Sequence, residues 1–315
     1  MISMIGAIAR LAFVVIATTV CLPIAASRAQ TYNFAYVSDT GTGTACTVAQ
    51  PCGSLGSAFA ALDGNNGRIV CLSPVNFTSQ GAASSPNTSN QTVEIDCPAG
   101  MFSEGMFWSS NVSNVTVKIR NVTFTNLGNA SAIGFFGSGT LILENCIVES
   151  SITTALDIEP NSQFNLVMTN SRISNNSTVA VVLKPAAGGS INATFDHVTV
   201  TKNGGGGIRL DTTNGPVTAD VTDSVITNNT GNGLSAQGGV GSVAMLSIHD
   251  SVIAKNGAAG INATGTNGAV LVDTTLLDTN GTATSIASGG RIVSYGNNRV
   301  VGPAGTGFTG TASLQ

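Results

Sequence analysis

The chain has 315 residues, with 12 Lys and Arg against 16 Asp and Glu, a formal net charge of −4 and only 9% charged residues. This mild acidity excludes the basic footprint of a nucleic-acid-binding protein. Abundant Val, Ile and Thr, with 38 glycines and 5% aromatics, exclude a disordered chain and point to a β-rich one.

The N-terminus reads as a leader. Residues 1–10 form a short basic n-region, and 11–26 are an apolar run too short for a stable span. Ser27-Arg28-Ala29 supplies a small-x-small cleavage site. A signal peptide over 1–29 is expected, with release before Gln30 to the extracellular space or periplasm and no membrane span afterwards. Lipidation would use Cys21, but the bulky Val20 before it stands against that. Residues 30–315 are expected to be one domain.

Within 30–75, an N-terminal cap is expected. "SLGSAFAAL" places Leu55, Ala58, Phe59 and Leu62 at helical spacing, with Ser54 as N-cap. Five cysteines follow the leader, and export permits disulfides. Cys46 and Cys52 flank a short turn with Pro51. Cys71 and Cys97 end the strand-like runs "GRIVC" and "TVEIDC" and can pair if those strands stack. The sequence leaves the connectivity open. Residues 79–91 read as a protruding loop. Phe102, Met106, Phe107 and Trp108 cluster near the first coils, where Trp108 either packs the cap or stacks on a sugar.

From here a repeat governs the chain. Aligned on one turn residue, Asn121, Asn145, Asn170, His197, Asp223, Asp250, Thr274 and Asn297 are spaced by 24, 25, 27, 26, 27, 24 and 23 residues. Such a period marks a solenoid. Before each turn residue, apolar side chains alternate with polar ones: Val117 and Ile119, Leu141 and Leu143, and so on to Val270 and Val272. That is the period of a strand with one face inward. After it, Val122, Phe124, Val148, Ile173, Val200, Ile226, Ile253 and Leu277 head a second inward column. Then come "NNS", "KNG", "NNT", "KNG" and "TNG", turns that tolerate positive φ. A third strand follows, with Ile158, Leu183, Leu210 and Ala236 inward and Glu159, Lys184, Asp211 and Gln237 outward. Three strands per repeat define an all-β, right-handed parallel β-helix of about eight coils with a short N-terminal capping helix. The turn column is expected to stack, its Asn side chains hydrogen-bonding from coil to coil. Residues 291–315 are expected to be a degenerate coil and a tail.

"YVSDTGTGTACTVAQPCGSLGSAFAAL", the coils and the terminal "SYGNNRV" resemble a family of secreted bacterial right-handed β-helix repeat proteins in the pectin-lyase-like superfamily. The resemblance spans nearly the whole chain after the leader. It implies export and the β-helix, but no one activity: relatives include pectate lyases, polygalacturonases, alginate epimerases and adhesins. Enzymes of the superfamily carry their polysaccharide groove on the face of this third strand. Their catalytic motifs are missing here, including the Asp-Asp, Gly-His-Gly and Arg-Ile-Lys of polygalacturonases and the Arg-x-Pro-x-x-Arg of pectate lyases.

On the residues themselves, Asp157, Glu159, Lys184, Arg209 and Asp211 project from the third strand over three consecutive coils. Such a set suits a uronate with or without Ca²⁺, or acid and base chemistry. It equally suits a charge ladder, since Glu159, Lys184 and Asp211 alternate in sign along one column. His197, Asp223 and Asp250, near His249, read as stand-ins for Asn in the turn column rather than as a metal site, and no cofactor is expected. Cys146 shares an inward column with Ser171, Ser224 and Ser251 and reads as a core thiol. Ile147, Val225, Val252 and Leu276 form an outward apolar stripe. The expected function is a non-catalytic β-helix that binds polysaccharide or another cell-surface partner through an outer face. The alternatives are a divergent polysaccharide lyase or hydrolase and an adhesin-like structural protein assembling through the stripe.

Overall fold

Asn33–Val37, Gly67–Cys71 and Thr92–Phe102 are the first rungs of a stack of strands that continues to the C-terminus, every pairing in it parallel. The structure is a computed structural model and describes residues 33–77, 89–102, 106–108, 113–125 and 131–312. The expected leader, most of the loop expected at 79–91 and the side chains of Phe102, Met106, Phe107 and Trp108 lie outside the described residues.

Each coil contributes three strands. The first-strand stack runs through Gly139–Glu144, Gln163–Thr169, Ser190–Asp196, Val217–Thr222, Ala244–His249, Gly268–Val272 and Arg291–Ser294. Second strands of three residues, such as Thr199–Thr201 and Val225–Thr227, follow one corner later and belong to the same 20-stranded sheet. Third strands from Met106–Trp108 to Thr282–Ala287 form a separate eight-stranded parallel sheet. The molecule is thus a right-handed parallel β-helix of about eight coils. The N-terminal cap is part of the sheet as well as a cover for it, since Asn33–Val37 and Gly67–Cys71 already lie in register.

The core is the inside of the coil. The alternating residues of the first strand, from Val117 and Ile119 to Val270 and Val272, are all buried. So are the second-strand column from Val122 to Leu277 and the inward third-strand residues Ile158, Leu183, Leu210 and Ala236. Phe135 and Phe164 fill one layer with ring centroids 4.2 Å apart. At about 25 cal/mol per Å² of apolar surface, it is the stacking of neighbours that makes each coil stable, because one coil has no second layer of its own.

The helix Leu55–Leu62 closes the N-terminal end. Ser54 Oγ accepts from Ser57 N at 3.1 Å, and Leu55, Ala58, Phe59 and Leu62 face the core. Disulfides join Cys46 to Cys52 and Cys71 to Cys97, with Cα atoms 4.7 and 4.8 Å apart. The second follows from register: Val70 pairs with Asp96, so the next residues stand side by side. At the C-terminal end Gly310–Thr311 pairs with Val293 and Ser294, and Ala283 and Thr284 donate to Pro303 and Ala304. The tail therefore folds back over the last coil.

The corners after the first and second strands are built on left-handed residues. The expected turn column is one of them, with φ of 58° at Asn121, 55° at Asn145, 49° at Asn170, 54° at His197 and 48° at both Asp223 and Asp250. Its side-chain chain is short: Asn145 Nδ2 donates to Asn121 Oδ1, and Asn121 Nδ2 to Asp96 Oδ1. The continuous amide ladder lies one corner on and is buried. Asn176, Asn203, Asn229, Asn256 and Asn280 stack inside the coil. Asn176 Oδ1 accepts from Ser151 N at 2.9 Å; from Asn203 on, each Oδ1 accepts from the backbone N and Nδ2 of the Asn in the preceding coil at 2.8–3.1 Å, as Asn229 does from Asn203. A second ladder is made by hydroxyls: Ser171, Ser224 and Ser251 donate to carbonyls two residues back at 2.7 Å and accept from backbone N–H of the preceding coil. Cys146 heads this column, with its thiol pushed up to about 11 by burial.

Candidate functional site

The third strand of each coil presents two outward positions. In register at the first are Asp157, Val182, Arg209, Ser235 and Asn262. At the second are Glu159, Lys184, Asp211, Gln237 and Thr264, the last three paired in register and the first two fixed by Glu159 N to Phe135 O and Lys184 N to Ile158 O. Pro160 and Pro185 stop the strands just beyond, because neither can donate to the ladder.

The five charged residues named from the sequence therefore do share one face, but not one network. Lys184 Nζ lies 3.7 Å from Glu159 Oε1. Asp211 is turned to its own turn, accepting from Thr213 Oγ1 at 2.6 Å and Thr213 N at 3.2 Å. The alternating ladder is thus made on one side of Lys184 only. Asp157 and Arg209 sit on either side of Val182, which is just 4% exposed although it points outward. Burial holds the Asp157 carboxyl above the usual carboxylate range, Glu159 adds to this, and Lys184 and Arg209 oppose it. Arg209 Nε is buried and has no hydrogen-bond partner among the described residues.

Arg209 lines a cleft of about 170 Å³ with Gly205, Gly206, Gly207, Asn232, Ser235 and neighbours. The cleft exists because "NGGGG" from Asn203 to Gly207 carries no side chains there. A Cβ on Gly207 would collide with the carbonyl of Gly233, and one on Gly231 with that of Gly205. The floor beside it is polar and ordered: Asn262 Nδ2 donates to Ser235 Oγ at 3.0 Å and Thr264 Oγ1 at 3.2 Å.

A larger groove of about 790 Å³ runs along the first corner, between Asn121, Asn145, Asn170 and His197 on one side and Ile147 and Arg172 on the other. The reading of the sequence missed it, although the turn column and the outward second-strand residues that form it were both recognised. At its end His197 Nδ1 is 2.6 Å from Asp196 Oδ1, and this hydrogen bond raises the imidazole above its ordinary value, helped by the charges of Asp196 and Asp223. His249 is turned to Asp273, at 3.5 Å, and does not join that group. Asp273 is held below the usual range first by the hydrogen bond from Asn297. The apolar stripe is interrupted: Arg172 and Thr199 stand in register between Ile147 and Val225, leaving Val225, Val252 and Leu276 contiguous.

No curated protein matches the chain. Among solved structures, the pectate lyase Pel9A superposes with a TM-score of 0.56 at 18% identity, over 90% of this chain and 80% of that one. A double mutant of the periplasmic alginate epimerase AlgG matches with a TM-score of 0.34 at 10% identity, over 80% and 84% of the two chains. The first likeness is one of fold. The family model described as "Right handed beta helix region" matches residues 75–220, 105–276 and 187–313. With coils, corners and ladders all in the matched region, the chain belongs to the right-handed β-helix family.

Proposed function

We propose that the protein is exported and binds a polysaccharide along the outer face of the eight-stranded sheet without cleaving it. The carrying observation is Arg209: a guanidinium whose Nε is buried and without a hydrogen-bond partner among the described residues, at the rim of the cleft. A donor left in that state costs stability unless an acceptor arrives, and the carboxylate of an acidic sugar is a matching acceptor. Glu159, Lys184 and Asp211 are engaged with neighbours, which supports a binding face over a catalytic set. Export is supported by the leader and by two disulfides in the fold. One neighbour in fold is named as a pectate lyase, which makes acidic glycans the first to try.

One observation favours a second reading, a divergent lyase or hydrolase: a carboxyl held toward its protonated form, as at Asp157, is what a general acid needs. An array of acidic and neutral polysaccharides, with and without Ca²⁺, separates the two. Retention without product release, weakened about tenfold or more by Arg209→Ala, is the expected result. Product release abolished by Asp157→Asn establishes the enzyme instead. No retention on any glycan refutes the binding face.

A further inference from the structure

Away from the third-strand face, the first-corner column changes chemistry halfway along the solenoid. Asn121, Asn145 and Asn170 give way to His197, Asp223 and Asp250 on the next three rungs. An amide donates and accepts, so a column of amides can chain; carboxylates only accept. Asp223 and Asp250 occupy the same corner of adjacent coils, where like charges in neighbouring register are unfavourable. Left-handed φ does not ask for an acid, since Asn satisfies it at least as well. The switch to carboxylates therefore needs a cause outside the turn.

Asp196 ends the strand before His197, and Asp223 stands on the next rung of the same column. One ligand atom from each of Asp196, His197 and Asp223 lies within 4.8 Å of the other two. Ligands on one tetrahedral ion at about 2.0–2.2 Å stand roughly 3.4 Å apart. Closing that gap takes a rotation about χ, which side chains as exposed as His197 and Asp196, at 59% and 43%, are free to make. Among the described residues, no Lys or Arg nitrogen comes within 4.0 Å of either carboxylate. At the N-terminal end of the same sheet Glu94 is paired with Arg68 and Arg120, and Glu144 with Lys118 and Arg120.

We propose that Asp196, His197 and Asp223 form a site for a divalent transition metal of the Zn²⁺ kind. One imidazole with two carboxylates suits such an ion, whereas Ca²⁺ and Mg²⁺ take oxygen ligands. Three protein ligands leave a position for water, and because His197 lines the 790 Å³ groove, that position is open to a molecule held there. The site is separate from the Arg209 face and does not depend on it.

The test is calorimetric titration of tag-free, chelator-treated protein with Zn²⁺, with thermal melting in parallel and millimolar Ca²⁺ and Mg²⁺ as competitors. His197→Asn and Asp223→Asn are the variants, because Asn at this corner is what the preceding rungs already carry, so the fold is kept. His249→Asn is the control for unspecific imidazole binding. One Zn²⁺ per chain is expected, with a raised Tm that the hard cations do not reproduce. Each of the two variants should weaken binding at least about tenfold and lose the rise in Tm, while H249N behaves as the parent. Absence of stoichiometric binding overturns the proposal, and so does binding that survives H197N or is lost equally in H249N.

Discussion

Asp157 and Arg209 lie within each other's field across a single buried valine, and each carries an electrostatic cost in the free protein. For Asp157 the sign is definite. Its carboxyl is raised from an ordinary value of 3.8, first by burial, so the folded chain holds a proton that the unfolded chain has released. Stability therefore falls as pH rises from about 4 through the raised value, and the cost persists at neutral pH. Asp157→Asn removes the titration. Its Tm relative to the parent should climb as pH goes from about 3.5 to 7, and a constant difference across that range would show that the group does not titrate abnormally. Cys146 makes a complementary case. Buried, raised to about 11 and placed over backbone carbonyls, it has almost no thiolate at neutral pH. Native protein freed of residues 1–29, and so of Cys21, should leave a thiol reagent unconsumed over hours, and the same protein in denaturant should consume one equivalent.

At the scale of the strand and the corner, the buried Asn ladder is the strongest single device. Asn229 accepts from the backbone and side chain of Asn203, passes its own donors to Asn256 and Val200, and is 1% exposed. Asn229→Ala strands donors on the neighbouring rung and opens a small void, a loss of about 2–4 kcal/mol by urea denaturation. Its neighbour Asn228 is the exposed left-handed residue at φ 56°, so Asn228→Gly should stay within about 0.5 kcal/mol. These two positions also mark how far the sequence could be read. The inward columns were legible because alternation reports burial directly. The first corner was legible from spacing alone. The ladder was not, because the letters that announce a turn are the same letters that build a buried amide stack. The distinguishing sign was that the second residue of "NNS", "KNG", "NNT", "KNG" and "TNG" never varies while the first does. On the third-strand face, column membership of the charges was legible. That Asp211 would prefer Thr213 to Lys184 depends on the local turn, and the cleft beside Arg209 is made by glycines, which leave no side-chain pattern to read.

Over the whole molecule, one direction organises everything: the named strands of the described residues pair in parallel, and the buried rungs Asn176, Asn203, Asn229 and Asn256 each hand hydrogen bonds to the next coil. A change in length that is not a full coil breaks this, because a shift of one residue exchanges the two faces of every later strand. Removing residues 203–228 is such a full coil. It sets Asn229 against Asn176, Leu234 against Val181 and Ala244 against Ile191, pairings of the kind already present on each rung. The shortened chain should give the same β-type circular dichroism and a single cooperative melt, whereas removal of 203–216 should not fold. The same cut deletes Arg209 and leaves Asp196 and His197 in place, with Asp250 arriving where Asp223 had been. The ladder thus makes length a discrete variable. This architecture gains or loses surface one complete coil at a time, and a binding face can be excised, duplicated or moved along the axis as a unit of inheritance without renegotiating the core.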